Sequence, residues 1–321
     1  MNKKVLKIAM GELNDNAVWF MRQAGRYLPD YAAIKKGRPF SELLKDPNTI
    51  VEMSALPFKY YNPDAVVIFT DILLPYARMG YSVSYENGIS VNKTESEVFD
   101  YYSVLVEGIR RISTDFADKT IIGVVGGPFT TLSYLYDRGR DGYARTKEKI
   151  SSGETGILND LMEEIIEFAE IQTRSGVDVI QVFESWLGTV SENFYENHLE
   201  KIERYFIENI RDLGKPVIFF SEGSSHLYRH LINLKPDVIS LDWRLELREF
   251  KKMCYDCIIQ GNLDPYLLNS GDDYLRKETR RIMDQGAKLK GHIFNLGHGV
   301  PQWADYKKLA LVESEVHNYD R

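Results

Sequence analysis

A chain of 321 residues with 44% hydrophobic and 27% charged residues has the composition of an ordinary globular protein and the length for a sizeable core. Its net charge of −7 and pI near 5.5, with no run rich in Lys and Arg, exclude a nucleic-acid binder of the basic kind. No apolar stretch reaches the length of a membrane span, and Lys7 and Glu12 interrupt any signal-peptide core, so no membrane association is expected and the expected compartment is the cytoplasm.

Along the chain, eight short apolar runs recur, and each closes on polar or glycine residues. Residues 17–21 end in Arg22-Gln23, 65–69 in Thr70-Asp71, 121–125 in Gly126-Gly127-Pro128 and 177–183 in Glu184-Ser185. Residues 216–220 end in Ser221-Glu222-Gly223, 238–241 in Asp242-Trp243, 257–259 in Gln260-Gly261-Asn262 and 292–295 in Leu296-Gly297-His298-Gly299. The runs are continuously hydrophobic rather than alternating, as parallel strands covered on both faces require. Amphipathic helical stretches separate them. The clearest is 156–174, with Ile157, Leu161, Ile165, Phe168 and Gln172 on one stripe and Ser175-Gly176 as its stop.

Eight such units predict an α/β fold: a single TIM-type (β/α)8 barrel spanning 1–321, with its cleft at the C-terminal face of the strands. A doubly wound sheet fits less well, because no GxGxxG follows the first strand and eight runs are present rather than five or six. No internal repeat, low-complexity segment or linker divides the chain.

In a barrel the residues closing the strands share one cleft. Arg22, Gln23, Asp71, Ser185, Asp242 and His298 are therefore the candidate site. Arg22 and Arg26, four residues apart after an apolar run, are placed to grip carboxylates in bidentate fashion, so the acidic chain concentrates positive charge locally. The only two cysteines, Cys254 and Cys257, do not make a disulfide framework and fit a reducing compartment. They precede a buried-looking strand, have no second Cys pair, and are not expected to bind metal or do redox chemistry.

The ordered blocks MRQAGRYLP (21–29), FTDIL (69–73), GGPFT (126–130), FESWLG (183–188), LDW (241–243), QGNLDP (260–265) and NLGHG (295–299) resemble the signature blocks of the uroporphyrinogen decarboxylase family across nearly the whole chain. The resemblance implies a (β/α)8 barrel, a homodimer, and removal of carbon dioxide from the four acetate side chains of uroporphyrinogen to give coproporphyrinogen. No cofactor and no metal is expected, because a pyrrole ring protonated on carbon is its own electron sink.

By position in the motifs, Arg22 and Arg26 would bind substrate carboxylates, with Arg22 as, or positioning, a proton donor. Gln23 belongs to the same loop. Asp71 would accept hydrogen bonds from the pyrrole N–H groups and oppose cationic charge. The Tyr134 hydroxyl would face the reacting acetate, and Ser185 and His298 would contact substrate. The chain departs from the family pattern where an arginine is usual: Lys35 stands there, with Arg38 nearby as a substitute. Two competing readings are a zinc-dependent corrinoid:thiol methyltransferase of the same superfamily, disfavoured because residues 219–223 contain no cysteine, and a non-catalytic tetrapyrrole-binding protein.

Overall fold

The computed structural model describes residues 3–85, 88–95 and 99–320. Among the described residues nine strands form: β1 (Ala65–Val67), β2 (Tyr81–Ser84), β3 (Ser90–Lys93), β4 (Thr120–Gly126), β5 (Val179–Phe183), β6 (Val217–Phe220), β7 (Val238–Ser240), β8 (Ile258–Gln260) and β9 (Gly291–Ile293). Seven of them make one all-parallel sheet in the order β1-β4-β5-β6-β7-β8-β9. These seven coincide with seven of the eight apolar runs.

The remaining run, residues 17–21, occupies the eighth barrel position but is not a regular strand. It makes a single parallel bridge, Val18 to Phe294, with Phe294 N donating to Ala17 O at 2.8 Å. On its other side Asp64 N donates to Val18 O at 2.8 Å and Val18 N to Asp64 Oδ2 at 2.9 Å, so the segment closes the sheet between β9 and β1. The ladder stops there because the next two amides are taken by side chains: Phe20 N donates to Gln23 Oε1 (3.3 Å) and Met21 N to Asn295 Oδ1 (2.9 Å). The result is the (β/α)8 barrel of the sequence expectation.

Apolar side chains fill the barrel interior, among them Trp19, Ile122, Val179, Ile218, Val238 and Ile293. The helix Lys4–Ala9 lies at the N-terminal ends of the strands, burying Val5, Ile8 and Ala9 against them, and Leu6 N donates to Thr120 Oγ1 at 3.1 Å. A polar chain crosses the interior: Trp19 Nε1 donates to Gln260 Oε1, and Gln260 Nε2 to Gln181 Oε1 and Ser240 Oγ, at 2.8–3.1 Å. Each buried polar atom named in it is thereby matched, as burial demands.

The helix Gly156–Ser175 covers the outside of the sheet with Leu158, Leu161, Met162, Ile165, Phe168 and Ala169. Ile157, expected on that stripe, is only half-buried, and Leu158 takes its place. Gln172 turns its amide onto both polar groups of Val124. Gly123 makes room for it, since a Cβ there would come within 2.7 Å of Gln172 Oε1. Gly176, at φ 122°, ends the helix as expected.

Two features were not foreseen. β2 and β3 pair as an antiparallel hairpin inserted after β1. Cys254 and Cys257 are joined in a disulfide, where free thiols were expected: the helix Leu247–Met253 ends at Cys254, and the turn into β8 brings the two Cα atoms to 5.5 Å. Among the described residues no helix is long and apolar enough to cross a membrane.

The C-terminal helix Tyr306–His317 locks the barrel seam. His317 Nε2 lies 2.8 Å from Asp64 Oδ2, the same atom that receives Val18 N, and Nδ1 lies 2.5 Å from Glu313 Oε1. Burial alone would lower the imidazole pKa, but the bonds to Asp64 and Glu313 outweigh it and raise it to about 9. A raised cation contributes stability below the unfolded value near 6.5 that is lost as pH climbs through about 9. His317→Gln is therefore expected to destabilise the fold by roughly 2–3 kcal/mol at pH 6, with a difference that shrinks toward pH 10. Melting temperatures of both proteins across that range check it, and a pH-independent difference would exclude the charge account.

Candidate active site

The arginine loop follows residues 17–21 at the C-terminal face. Arg22 adopts φ 60°, the left-handed conformation, which turns the chain sharply out of the barrel wall. Its side chain lies along Gly299, where a Cβ would stand 3.2 Å from Arg22 Cβ and 3.3 Å from Cζ. Water reaches Arg22 through the open cleft, yet protein walls surround it: burial lowers its pKa, Tyr134 opposes this, and Arg26 adds to it. Arg26 is exposed and donates to Gln302 Oε1 at 3.3 Å.

Gln23 departs from the expectation of a substrate contact. It is buried, its Nε2 donates to Ala65 O at 2.9 Å and its Oε1 accepts from Phe20 N, so its amide is spent on holding the loop to β1. The Gln23 carbonyl is in turn held by the Tyr27 and Tyr61 hydroxyls, packed against each other at 2.7 Å. Lys35, half-buried, ends the helix Tyr31–Lys35. Arg38 donates to Ile34 O, Lys35 O and Thr49 Oγ1, so its guanidinium caps that helix rather than standing in for Lys35.

Asp71 lies just beyond β1. Its Oδ2 accepts from the Tyr85 hydroxyl and its Oδ1 from Leu73 N at 2.9 Å. Burial raises its pKa, while Tyr85 and then Leu73 N pull it back. Tyr85, at the end of the unforeseen hairpin, is the residue that sequence reasoning missed. Nothing in the local pattern shows that it returns to the cleft. Its ring packs edge-on against Phe40 at 5.0 Å. Tyr134, on the helix Pro128–Asp137, has its hydroxyl pKa raised by burial and by Asp71, with Trp186 and Arg22 opposing. Gly139 (φ 67°) packs flat on its ring, where a Cβ would fall 2.7 Å from Cε1.

Beyond β9, His298 Nε2 lies 3.4 Å from Glu222 Oε2, and its ring meets Phe220 edge-on. Burial lowers its pKa and Arg22 adds to this, with Glu222 opposing, so the imidazole is neutral at pH 7. Arg244 bridges Glu222 (3.1 Å) and the buried Asp242 (2.7 Å), and Gly223 N also donates to Asp242. Asp242, a strand-closing candidate, is thus a strut that fixes Glu222 and through it His298. Ser185 is half-buried beside them and its carbonyl accepts from Glu222 N. The Arg22 charge lowers the pKa of both Tyr134 and His298, and Asp71 raises that of Tyr134, so these groups influence one another electrostatically.

The glycines of the motifs let the blocks touch. A Cβ on Gly297 would come within 2.4 Å of Trp243 N, one on Gly261 within 2.7 Å of Leu241 O, and one on Gly127 within 1.4 Å of Glu184 Oε2. NLGHG rests on LDW, QGNLDP on LDW, and GGPFT on FESWLG.

Residues 1–319 match the family model described as "Uroporphyrinogen decarboxylase (URO-D)". The chain is 32% identical to a uroporphyrinogen decarboxylase of Geobacillus kaustophilus, over 99% of this chain and 98% of that one. It is 34% identical to one of Picrophilus torridus, with both chains fully covered. Among solved structures it is similar in fold to a methyltransferase from Methanosarcina mazei, with TM-score 0.77, 16% identity, and 97% and 96% of the two chains covered. It is also similar to a B12-independent methionine synthase from Shewanella sp. W3-18-1, with TM-score 0.60 and 12% identity over 86% and 88%. At such identities the likeness is one of fold. The match to the family over essentially the full chain, on a barrel whose cleft gathers the motif residues, establishes that this chain belongs to the uroporphyrinogen decarboxylase family and is a carboxy-lyase.

Proposed function

We propose that this chain decarboxylates the four acetate side chains of uroporphyrinogen III without a cofactor, giving coproporphyrinogen III, and that it works as a cytoplasmic homodimer of single-domain subunits. The supporting observation is that the loops closing the strands carry the Asp71 carboxylate together with the Arg22 and Arg26 guanidinium groups. A macrocycle with an inward ring of N–H donors and an outward ring of carboxylates is complementary to that layout.

In each cycle a proton adds to a pyrrole carbon and the ring becomes cationic. The bond from the acetate methylene to its carboxylate breaks, its electron pair flows into the ring, and carbon dioxide leaves. The exocyclic carbon takes a proton and the ring proton departs, so each acetate exchanges carbon dioxide for one proton. Asp71 would accept from the N–H groups and stabilise the cation as it develops. Arg22 and Arg26 would hold carboxylates and Arg22 would deliver or orient a proton. Tyr134 would donate to the reacting acetate, and neutral His298 and Ser185 would bind substrate. Gln23 would act through the loop it anchors.

Anaerobic incubation with enzymatically generated uroporphyrinogen III, followed by oxidation and chromatography, tests the reading. Four-step conversion unaffected by chelators or pyridoxal phosphate is expected. No conversion, or activity that EDTA abolishes, sinks it.

Arg26→Ala is expected to lose about 1.5–3 kcal/mol of transition-state binding, the scale of a hydrogen bond between charged groups, read as kcat/KM. Lys35→Arg should hold or improve activity, because a planar fork grips a carboxylate better than a point charge. Unchanged kcat/KM in Arg26→Ala would remove Arg26 from the site.

A further inference from the structure

We propose that Glu222 is a positioning residue of the cleft, holding the His298 imidazole with its proton on Nε2. Why that hold matters to the reaction rests on the reading of His298 as a substrate contact. The hold itself does not.

Glu222 lies in the loop that follows β6, and both of its carboxylate oxygens are engaged. Oε1 accepts from Arg244 Nη2 at 3.1 Å, and Oε2 lies 3.4 Å from His298 Nε2. At that distance the contact is a loose one, as orienting contacts often are before substrate binds. The backbone of Glu222 is fixed by the loop that follows β5. Its N donates to Ser185 O at 3.3 Å, and a Cβ on Gly188 would stand 2.1 Å from Glu222 O, so only glycine lets the two loops meet.

Behind the carboxylate stands a brace. Arg244 Nη1 donates to Asp242 Oδ2 at 2.7 Å, and Arg244 N to Asp242 Oδ1 at 2.9 Å. Asp242 is buried and also accepts from Gly223 N, while its carbonyl accepts from Asn262 Nδ2 at 2.7 Å. The guanidinium lies over the Trp243 ring, 4.1 Å from the centroid. Arg244 therefore cannot leave Glu222 for the cleft without also disturbing its pairing with a buried charge.

The inventory of donors and acceptors then decides the imidazole. A guanidinium only donates, and a carboxylate bonded to it only accepts. The ring nitrogen that faces Glu222 Oε2 must carry the hydrogen, and in a neutral ring the other nitrogen is then bare. The remaining neighbours do not reverse this. Burial acts first against a second proton on the ring, Glu222 opposes it, and Arg22 and Arg244 side with burial. The Gly299 backbone also favours a proton on the ring, but a carbonyl is a weaker acceptor than a carboxylate.

Nitrogen-15 NMR of the whole enzyme labelled at histidine reads the tautomer directly, with His298→Asn used for assignment. In the parent at pH 7 the proton is expected on Nε2. Glu222→Gln offers one acceptor in place of two. Arg244, which can only donate, takes the amide oxygen, and the amide nitrogen then turns its hydrogens to Nε2. The His298 proton is therefore expected on Nδ1 in that variant. The ring should also titrate at lower pH than in the parent, because a charge that favours the imidazolium is gone. A glutamate that served only the loop would move neither reading. KM for uroporphyrinogen should rise about three- to tenfold, the scale of one hydrogen bond. A parent ring with its proton on Nδ1, or doubly protonated at pH 7, overturns the proposal, and the parent spectrum suffices if the variant does not fold. A Glu222→Gln enzyme whose His298 keeps the parent tautomer overturns it as well. The spectra decide the hold even if decarboxylation of uroporphyrinogen fails. The expected tautomers with an unchanged KM would uphold the hold and instead remove His298 from the substrate contacts.

Discussion

Asp71→Asn is expected to lower turnover at least about a hundredfold, the scale of losing one preorganised electrostatic group, while Asp71→Glu retains measurable activity. The carboxylate stands just beyond β1, with Tyr85 on one oxygen and Leu73 N on the other. Burial raises its pKa, and these two donors oppose the rise. Such a charge interacts weakly with a neutral macrocycle and strongly with the cation formed when a ring carbon is protonated, so its effect grows on the way to the transition state. Asparagine keeps the shape, removes the charge and turns one acceptor into a donor. Tyr85→Phe is the companion measurement. It leaves the carboxylate but removes the first of the two opposing bonds, so the acid limb of the kcat/KM profile should move to higher pH. With circular dichroism showing all variants folded, an Asn enzyme that turns over like the parent would reduce Asp71 to a turn-forming residue bonded to Leu73 N, and the proposed electrostatic mechanism would be wrong.

Seven of the eight apolar runs are strands, because burial on both faces leaves an unbroken hydrophobic signal that polar loop residues cannot imitate. The eighth shows the limit of that signal. Residues 17–21 are as apolar as any strand, but whether their amides join a ladder depends on Gln23 and Asn295, whose amide orientations no local pattern encodes. The same limit explains Gln23 itself: its place in the motif is legible, its burial against Ala65 is not. The β2–β3 hairpin is short and half-exposed, so its period-2 pattern is faint, and with it Tyr85 stayed hidden although it touches Asp71. Likewise Glu184 reads in sequence as one more polar strand end. Its role depends on Thr130, whose amide and hydroxyl it holds at the start of the helix Pro128–Asp137. Residues whose role is set by their own strand were readable; those whose role is set by a distant partner were not.

Arg22→Ala is expected to lower kcat/KM by about 10²–10³-fold, the scale of removing one donor preorganised for transition-state charge, with little change in melting temperature. Stability and activity separate here because of how the residue is held. Its backbone takes φ 60° in the parent and must do so in the alanine variant too, so the strain of the turn is common to both. Its side chain lies along Gly299 in an open cleft rather than in the core, so truncation leaves no buried cavity. What is lost is a cation that lowers the pKa of both Tyr134 and His298. Burial lowers the guanidinium pKa, but arginine stays protonated in proteins, so Arg22 is a fixed charge. Arg22→Lys separates charge from geometry: if the forked contact to a carboxylate matters, lysine should recover only part of the loss. Removing Arg22 also takes away one contribution that lowers the His298 pKa, so the histidine should titrate at higher pH in Arg22→Ala, which NMR of the ring can follow independently of turnover. Parent-like kcat/KM in Arg22→Ala would place the proton delivery and the carboxylate grip elsewhere in the cleft, and an unmoved His298 titration would show that the two groups do not share one field.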